Sequence, residues 1–158
     1  MEINKLVCLR GEKAEQWCLY LGCWHGIPVF VTKDEKDAKS ALYQDGTCFI
    51  VVGATLARFG KTLFLNRLWH EVSHLYFADV WKPWDMRYEY RADLVAAAAT
   101  GRDATLERLS AMLTACTNPA ADRLIRLRLF NLMTCEKPYS PDDVSCMLKA
   151  LKPVTVLT

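Results

Sequence analysis

The chain has 158 residues, a formal charge of +2, and 52% hydrophobic against 24% charged residues. That length suits one domain with a real hydrophobic core, and a near-balanced charge argues against nucleic acid as a partner. Residues 16–32 carry no Asp, Glu, Lys or Arg, yet Gly22, His25, Gly26 and Pro28 interrupt them. The run falls short of the ~20 apolar residues that a membrane span requires. Glu12 and Glu15 precede it and no A-x-A-like site follows, so it is a poor signal peptide as well. The expectation is a soluble, cytoplasmic protein without a membrane-spanning segment. With no repeat, linker or low-complexity stretch, residues 1–158 are expected to form a single domain.

In chain order, residues 12–21 read as a helix, with Ala14, Trp17, Cys18 and Leu21 at helical spacing and Gly22 and Gly26 ending it. Pro28 to Thr32 is a short β-type run, followed by a charged turn region over residues 33–39. Ala41-Leu42-Tyr43 and Thr47 to Val52 flank Asp45-Gly46, a hairpin signal. A small, mostly antiparallel sheet of about three strands is therefore expected. Residues 54–59 suggest a short helix broken by Gly60, and 62–77 a longer one. In the longer helix Leu65, Leu68, Trp69, Val72, Leu75 and Tyr76 form an apolar stripe suited to packing on the sheet. A loop with Trp81, Pro83 and Trp84 follows, its tryptophans read as core or loop anchors in preference to a cleft lining. Helices are expected over 86–99, 104–116, 119–133 and 141–151. Gly101 closes the first of these. Asn118-Pro119 and Ser140-Pro141 each supply an N-cap and a proline at the first helical position. The fold class expected is α+β: a small sheet packed on one helix, with a helical C-terminal half.

The seven cysteines, at 8, 18, 23, 48, 116, 135 and 146, contain no C-x-x-C pair. Reduced, mostly buried thiols are the simplest reading.

The chemistry-bearing motif is His70-Glu71-Val72-Ser73-His74. On a helix, positions i and i+4 share a face, so both imidazoles can reach one metal ion. Glu71 can then reach a water at that ion, the H-E-x-x-H arrangement of zinc peptidases. A catalytic zinc takes three protein ligands and keeps one position open. Glu89 on the next helix can supply the third ligand. Asp93, one turn on, can accept a hydrogen bond from a ligand imidazole and fix its tautomer. Asp79 and Asp85 are rival third ligands in the loop.

Glu89-Tyr90-Arg91-Ala92-Asp93 resembles the E-x-x-A-D element that follows H-E-x-x-H in gluzincins of the CAAX prenyl protease and HtpX-like group. The order of strand Phe49 to Val52, then the histidine helix, then the glutamate helix ending at Thr100-Gly101 is similar too. Asn118-Pro119 with Arg123 resembles a later Asn/His-Pro…Arg element. The likeness spans roughly residues 28–130. Without transmembrane helices the chain is closer in kind to the short minigluzincins. Ser73 stands where the family has Gly, and no counterpart of its Asn-Ala edge strand appears around Asp37-Ala38.

The resemblance implies a zincin-like domain and a zinc metallopeptidase acting on a peptide or protein. His70, His74 and Glu89 would hold Zn²⁺, with Glu71 as general base and Asp93 behind the ligands. An edge strand could receive an extended peptide by strand addition. Arg123, Tyr88, Tyr90 and His25 are candidate oxyanion donors. The resemblance favours Arg123, although it also reads as a solvated arginine on a basic helix with Arg126 and Arg128. Two other readings stand beside this one: an ImmA/IrrE-type regulatory protease and a non-catalytic zinc-binding regulator. A third, a helical interaction module with a chance motif, needs no metal.

Overall fold

The computed structural model describes residues 5–8, 17–33, 37–56 and 59–155, with side chains described from residue 21 onward within these. Five strands come first: β1 (Lys5–Cys8), β2 (Trp17–Trp24), β3 (Ile27–Thr32), β4 (Ala38–Leu42) and β5 (Thr47–Gly53). Five helices follow: α1 (Lys61–Tyr76), α2 (Met86–Thr100), α3 (Arg102–Ala115), α4 (Pro119–Thr134) and α5 (Pro141–Ala150). A two-residue strand, β6 (Lys152–Pro153), closes the series. The order in the sheet is β1-β2-β3-β5-β4, with β6 also paired to β5.

The sheet departs from expectation in two ways. It is mixed, because β3 and β6 both run parallel to β5 while the other pairs are antiparallel. It is also twice the expected size, because the N-terminal segment supplies strands. Residues 17–21, expected to be helical, belong to β2; the rest of that expected helix, residues 12–16, lies outside the described residues. The helical spacing of four residues lost to cross-strand pairing along an aromatic and aliphatic run, a common tertiary override of local pattern. The turn between β2 and β3 is His25-Gly26, with φ of 48° and 80°. Positive φ at both central residues is the type I′ requirement of a tight hairpin, here met by His-Gly.

The Asp45-Gly46 hairpin forms as expected, joining β4 to β5, with Asp45 accepting from the backbone and hydroxyl of Thr47. Central strand β5 is buried on both faces. Ile27, Val29, Cys48, Ile50 and Val52 face the helices, packing with Leu68, Val72 and Leu75 of α1 and Val95 of α2. Phe30, Phe49 and Val51 form a smaller cluster on the opposite face. Of the short helix expected over residues 54–59, 54–55 form a turn and Leu56 is in 3-10 conformation, and 57–58 lie outside the described residues.

The remaining helices end where their caps dictate. Asn118 accepts from the amides of Ala120 and Ala121, and Ser140 forms a capping box with Asp143. Gly101, at φ 102°, closes α2 and opens α3. Tyr76, placed in the apolar stripe by spacing, is 44% exposed, while its neighbour Leu75 is buried in the core. Trp81 and Trp84 are 53% and 66% exposed and anchor no core. Of the described cysteine side chains only Cys48 is buried, so "mostly buried" does not hold for them.

Burial ranks the contributions to stability. Leu68 is almost fully enclosed between helix and sheet, so Leu68→Ala should cost about 3 kcal/mol in urea unfolding. Ser140→Ala, which removes only a cap, should cost about 1 kcal/mol.

Candidate metal centre

Helix α1 carries His70 and His74 one turn apart, and α2 lies alongside it with Glu89 in its first turn. The three side chains converge. His70 Nε2 is 3.1 Å from His74 Nε2 and 3.1 Å from Glu89 Oε2, and His74 Nε2 is 3.4 Å from Glu89 Oε1. They form a group able to hold a metal ion.

The far side of each ring sets its tautomer. His70 Nδ1 lies 3.0 Å from Asp93 Oδ1, and His74 Nδ1 lies 3.1 Å from Asp79 Oδ2. Both carboxylates are held as acceptors: Asp93 receives Arg108 and Arg128, and Asp79 receives Arg91. Each imidazole therefore donates its Nδ1–H outward, which leaves both Nε2 atoms as bare lone pairs. Two lone pairs and a carboxylate then face one another with no proton between them, an arrangement that a cation satisfies. Ligand atoms ~2.0–2.1 Å from a tetrahedral ion lie roughly 3.3 Å apart, the spacing found here. The donor set fits zinc: two neutral imidazoles and one carboxylate.

Electrostatics favour the ligand-competent forms. Burial, and then the nearby Arg67 guanidinium, push the His70 imidazole below its ordinary pKa and keep it neutral. Burial pushes the Glu89 carboxyl up, but the groups around it, the Arg128 guanidinium among them, outweigh burial and hold it well below the usual carboxylate range. Asp93 follows the same balance, with Arg128 the leading cause of its depression against burial. Metal binding requires these protonation states.

Glu71 is nearly buried. One of its oxygens meets Arg67 Nη2 at 2.9 Å, and the other accepts from the Ser40 hydroxyl of β4. Glu71, His74 and Glu89 line one cleft of about 310 Å³ with Ser40, Tyr88 and Trp84. The side chains of His74 and Glu89 keep 12% and 19% of their surface exposed while His70 is closed off, so the centre opens toward this cleft.

The sequence-predicted residues His70, Glu71, His74, Glu89 and Asp93 are thus brought together, and Asp93 is assigned to His70. Asp79 is not a third ligand but the matching partner of His74. Ala78, in the left-handed conformation at φ 54°, turns the chain immediately after α1, and Asp79 follows it. Asp85 instead caps α2. Arg123 sits on the exposed side of α4, in a groove with Asn118 and Asp122 rather than in the cleft. Arg128, read as a solvated neighbour of Arg123, is the buried one. Of the other oxyanion candidates, Tyr88 lines the cleft, Tyr90 is not among its lining residues, and His25 packs by Trp24 and Trp69. Sequence reasoning missed Ser40, Arg67, Arg108 and Arg128. Only Arg67 left a local signal, its i,i+4 spacing from Glu71.

No protein-family model matches the chain, and neither a curated protein nor a solved structure does. What the site can do rests on its own geometry.

Asp93→Asn should weaken zinc binding 10- to 100-fold, measured by competition with a chromophoric chelator. It should also cost about 3–5 kcal/mol of stability, because Arg108 and Arg128 lose their buried counter-charge.

Proposed function

We propose that this chain is a zinc-dependent metallopeptidase. The observation that carries the reading is the convergence of two bare imidazole nitrogens and the Glu89 carboxylate beside Glu71 in one open cleft. His70, His74 and Glu89 would hold the ion. When bound, zinc supplies Lewis acidity, lowering the pKa of a coordinated water toward about 7 and polarising a carbonyl. Glu71 takes a proton from the attacking water and delivers it to the leaving amine, a role worth typically 10²–10⁴-fold. Ser40 and Arg67 hold the Glu71 carboxylate in place at the cleft wall. Tyr88, which lines the cleft where Arg123 does not, would be the donor to an oxyanion.

The substrate would be an extended peptide. Strand β4 is the sheet's edge, and its Ala38, Lys39 and Ser40 line the cleft. Unpaired backbone groups along an edge accept an added strand. This gives the cleft a binding wall despite the missing Asn-Ala element. No helix among the described residues is long and apolar enough to cross a membrane.

One observation favours a second reading, a zinc-binding regulator without turnover: both Glu71 oxygens are already engaged, by Arg67 and by Ser40. Purified without chelators, the protein should carry close to one zinc per chain by elemental analysis. Glu71→Gln should retain that zinc and lower cleavage of a peptide library by at least ~10²-fold. Zinc-loaded wild-type protein that cleaves no member of the library would favour the regulator. Absence of zinc would remove both readings.

A further inference from the structure

A second cavity, about 330 Å³, lies away from the cleft. Leu56 and Phe59 from the segment before α1, Leu63 of α1, Met112 of α3 and Ile125 of α4 give it apolar walls. Among the described residues, two charged ones reach it, Asp37 and Arg108. Asp37 is already paired, its Oδ1 lying 3.2 Å from Arg67 Nε. Arg108 is different. Its guanidinium is buried, with Nε donating to Asn66 and Nη2 to Asp93. The partner of its third nitrogen, Nη1, is the Met112 sulfur at 3.6 Å. A thioether is a weak acceptor, and a guanidinium nitrogen carries two N–H groups. Arg108 thus lines an apolar chamber, and the protein partner of its Nη1 is a weakly accepting thioether.

We propose that this cavity binds a small amphipathic carboxylate, its acid group received by Arg108 Nη1 and its hydrocarbon chain packed among Leu56, Leu63, Met112 and Ile125. Size, polarity and charge agree on that class. At ~30 Å³ per water-sized group the space holds roughly ten heavy atoms, the size of an eight-carbon acid. Mostly apolar walls with a few polar groups, here Asp37, Thr55 and Arg108, are the usual make-up of a small-molecule site. A carboxylate replaces the thioether with a charge-assisted acceptor of matching geometry. Burial, with Arg67 and Arg128 close by, pushes the Arg108 guanidinium below its ordinary pKa although Asp93 opposes them, so a further anion there is accommodated. The proposal stands independently of peptidase activity, since neither Glu71 nor the zinc ligands line the cavity.

Calorimetric titration of the purified 158-residue chain with octanoate and with octanol tests this. Octanoate should bind at least tenfold more tightly than octanol, at one site per chain. Ala111→Phe, which fills the cavity from α3, should weaken octanoate at least tenfold while leaving zinc content unchanged. Equal binding of the alcohol would overturn the proposal, reducing the cavity to an apolar void. So would no octanoate binding, or binding that Ala111→Phe does not alter. Should that variant fail to fold, the octanoate-to-octanol ratio on the unaltered chain still decides.

Discussion

The Asp93 carboxylate, carried on α2, accepts hydrogen bonds from three other helices: His70 on α1, Arg108 on α3 and Arg128 on α4. A buried carboxylate is costly unless its charge is offset and its lone pairs are filled. Here two arginines and an imidazole do both, and the bonds dictate how the four helices sit. Asn66 extends the network, receiving Arg108 and donating to Thr100 and Thr105. Hydrophobic burial against the sheet drives α1 into place. The buried polar network specifies its rotation, because only one setting turns His70 and Asn66 toward α2 and α3 while Leu68 and Val72 face the sheet.

The chemistry of the centre follows from the same constraint. Asp93 behind His70 and Asp79 behind His74 turn both Nε2 lone pairs inward, where Glu89 meets them. Asp79 is steadied by Arg91, whose guanidinium stacks 3.7 Å over the Phe77 ring. Each imidazole is thus oriented by a carboxylate that is itself held by arginine. Side chains supported in this way hold a converging geometry on their own, and that preorganisation would limit the reorganisation that binding an ion requires.

How much was legible in the sequence depends on the range of each interaction. His70, Glu71 and His74 are fixed by helical periodicity, and Glu89 and Asp93 by the same periodicity one helix later. The caps at Asn118 and Ser140 and the Asp45-Gly46 hairpin are equally local, and all form. Arg108 and Arg128 lie 15 and 35 residues from Asp93, and nothing in their neighbourhood separates a buried arginine from the solvated Arg126. Ser40 meets Glu71 across 31 residues. Asp79, five residues from His74, was close enough to notice, but its role depends on the left-handed turn at Ala78, which an alanine does not advertise. Strand β2 failed for another reason: Trp17, Cys18 and Leu21 suit either periodicity, and only pairing with β3 decides between them.

The central claim is that two imidazoles and one carboxylate, with no thiolate, converge to hold zinc. X-ray absorption at the zinc edge of the metal-loaded protein tests it most directly. The account predicts a first shell of nitrogen and oxygen only, at ~2.0–2.2 Å, with the multiple-scattering signature of two imidazoles. A sulfur scatterer at ~2.3 Å, or a shell without imidazole, would contradict it.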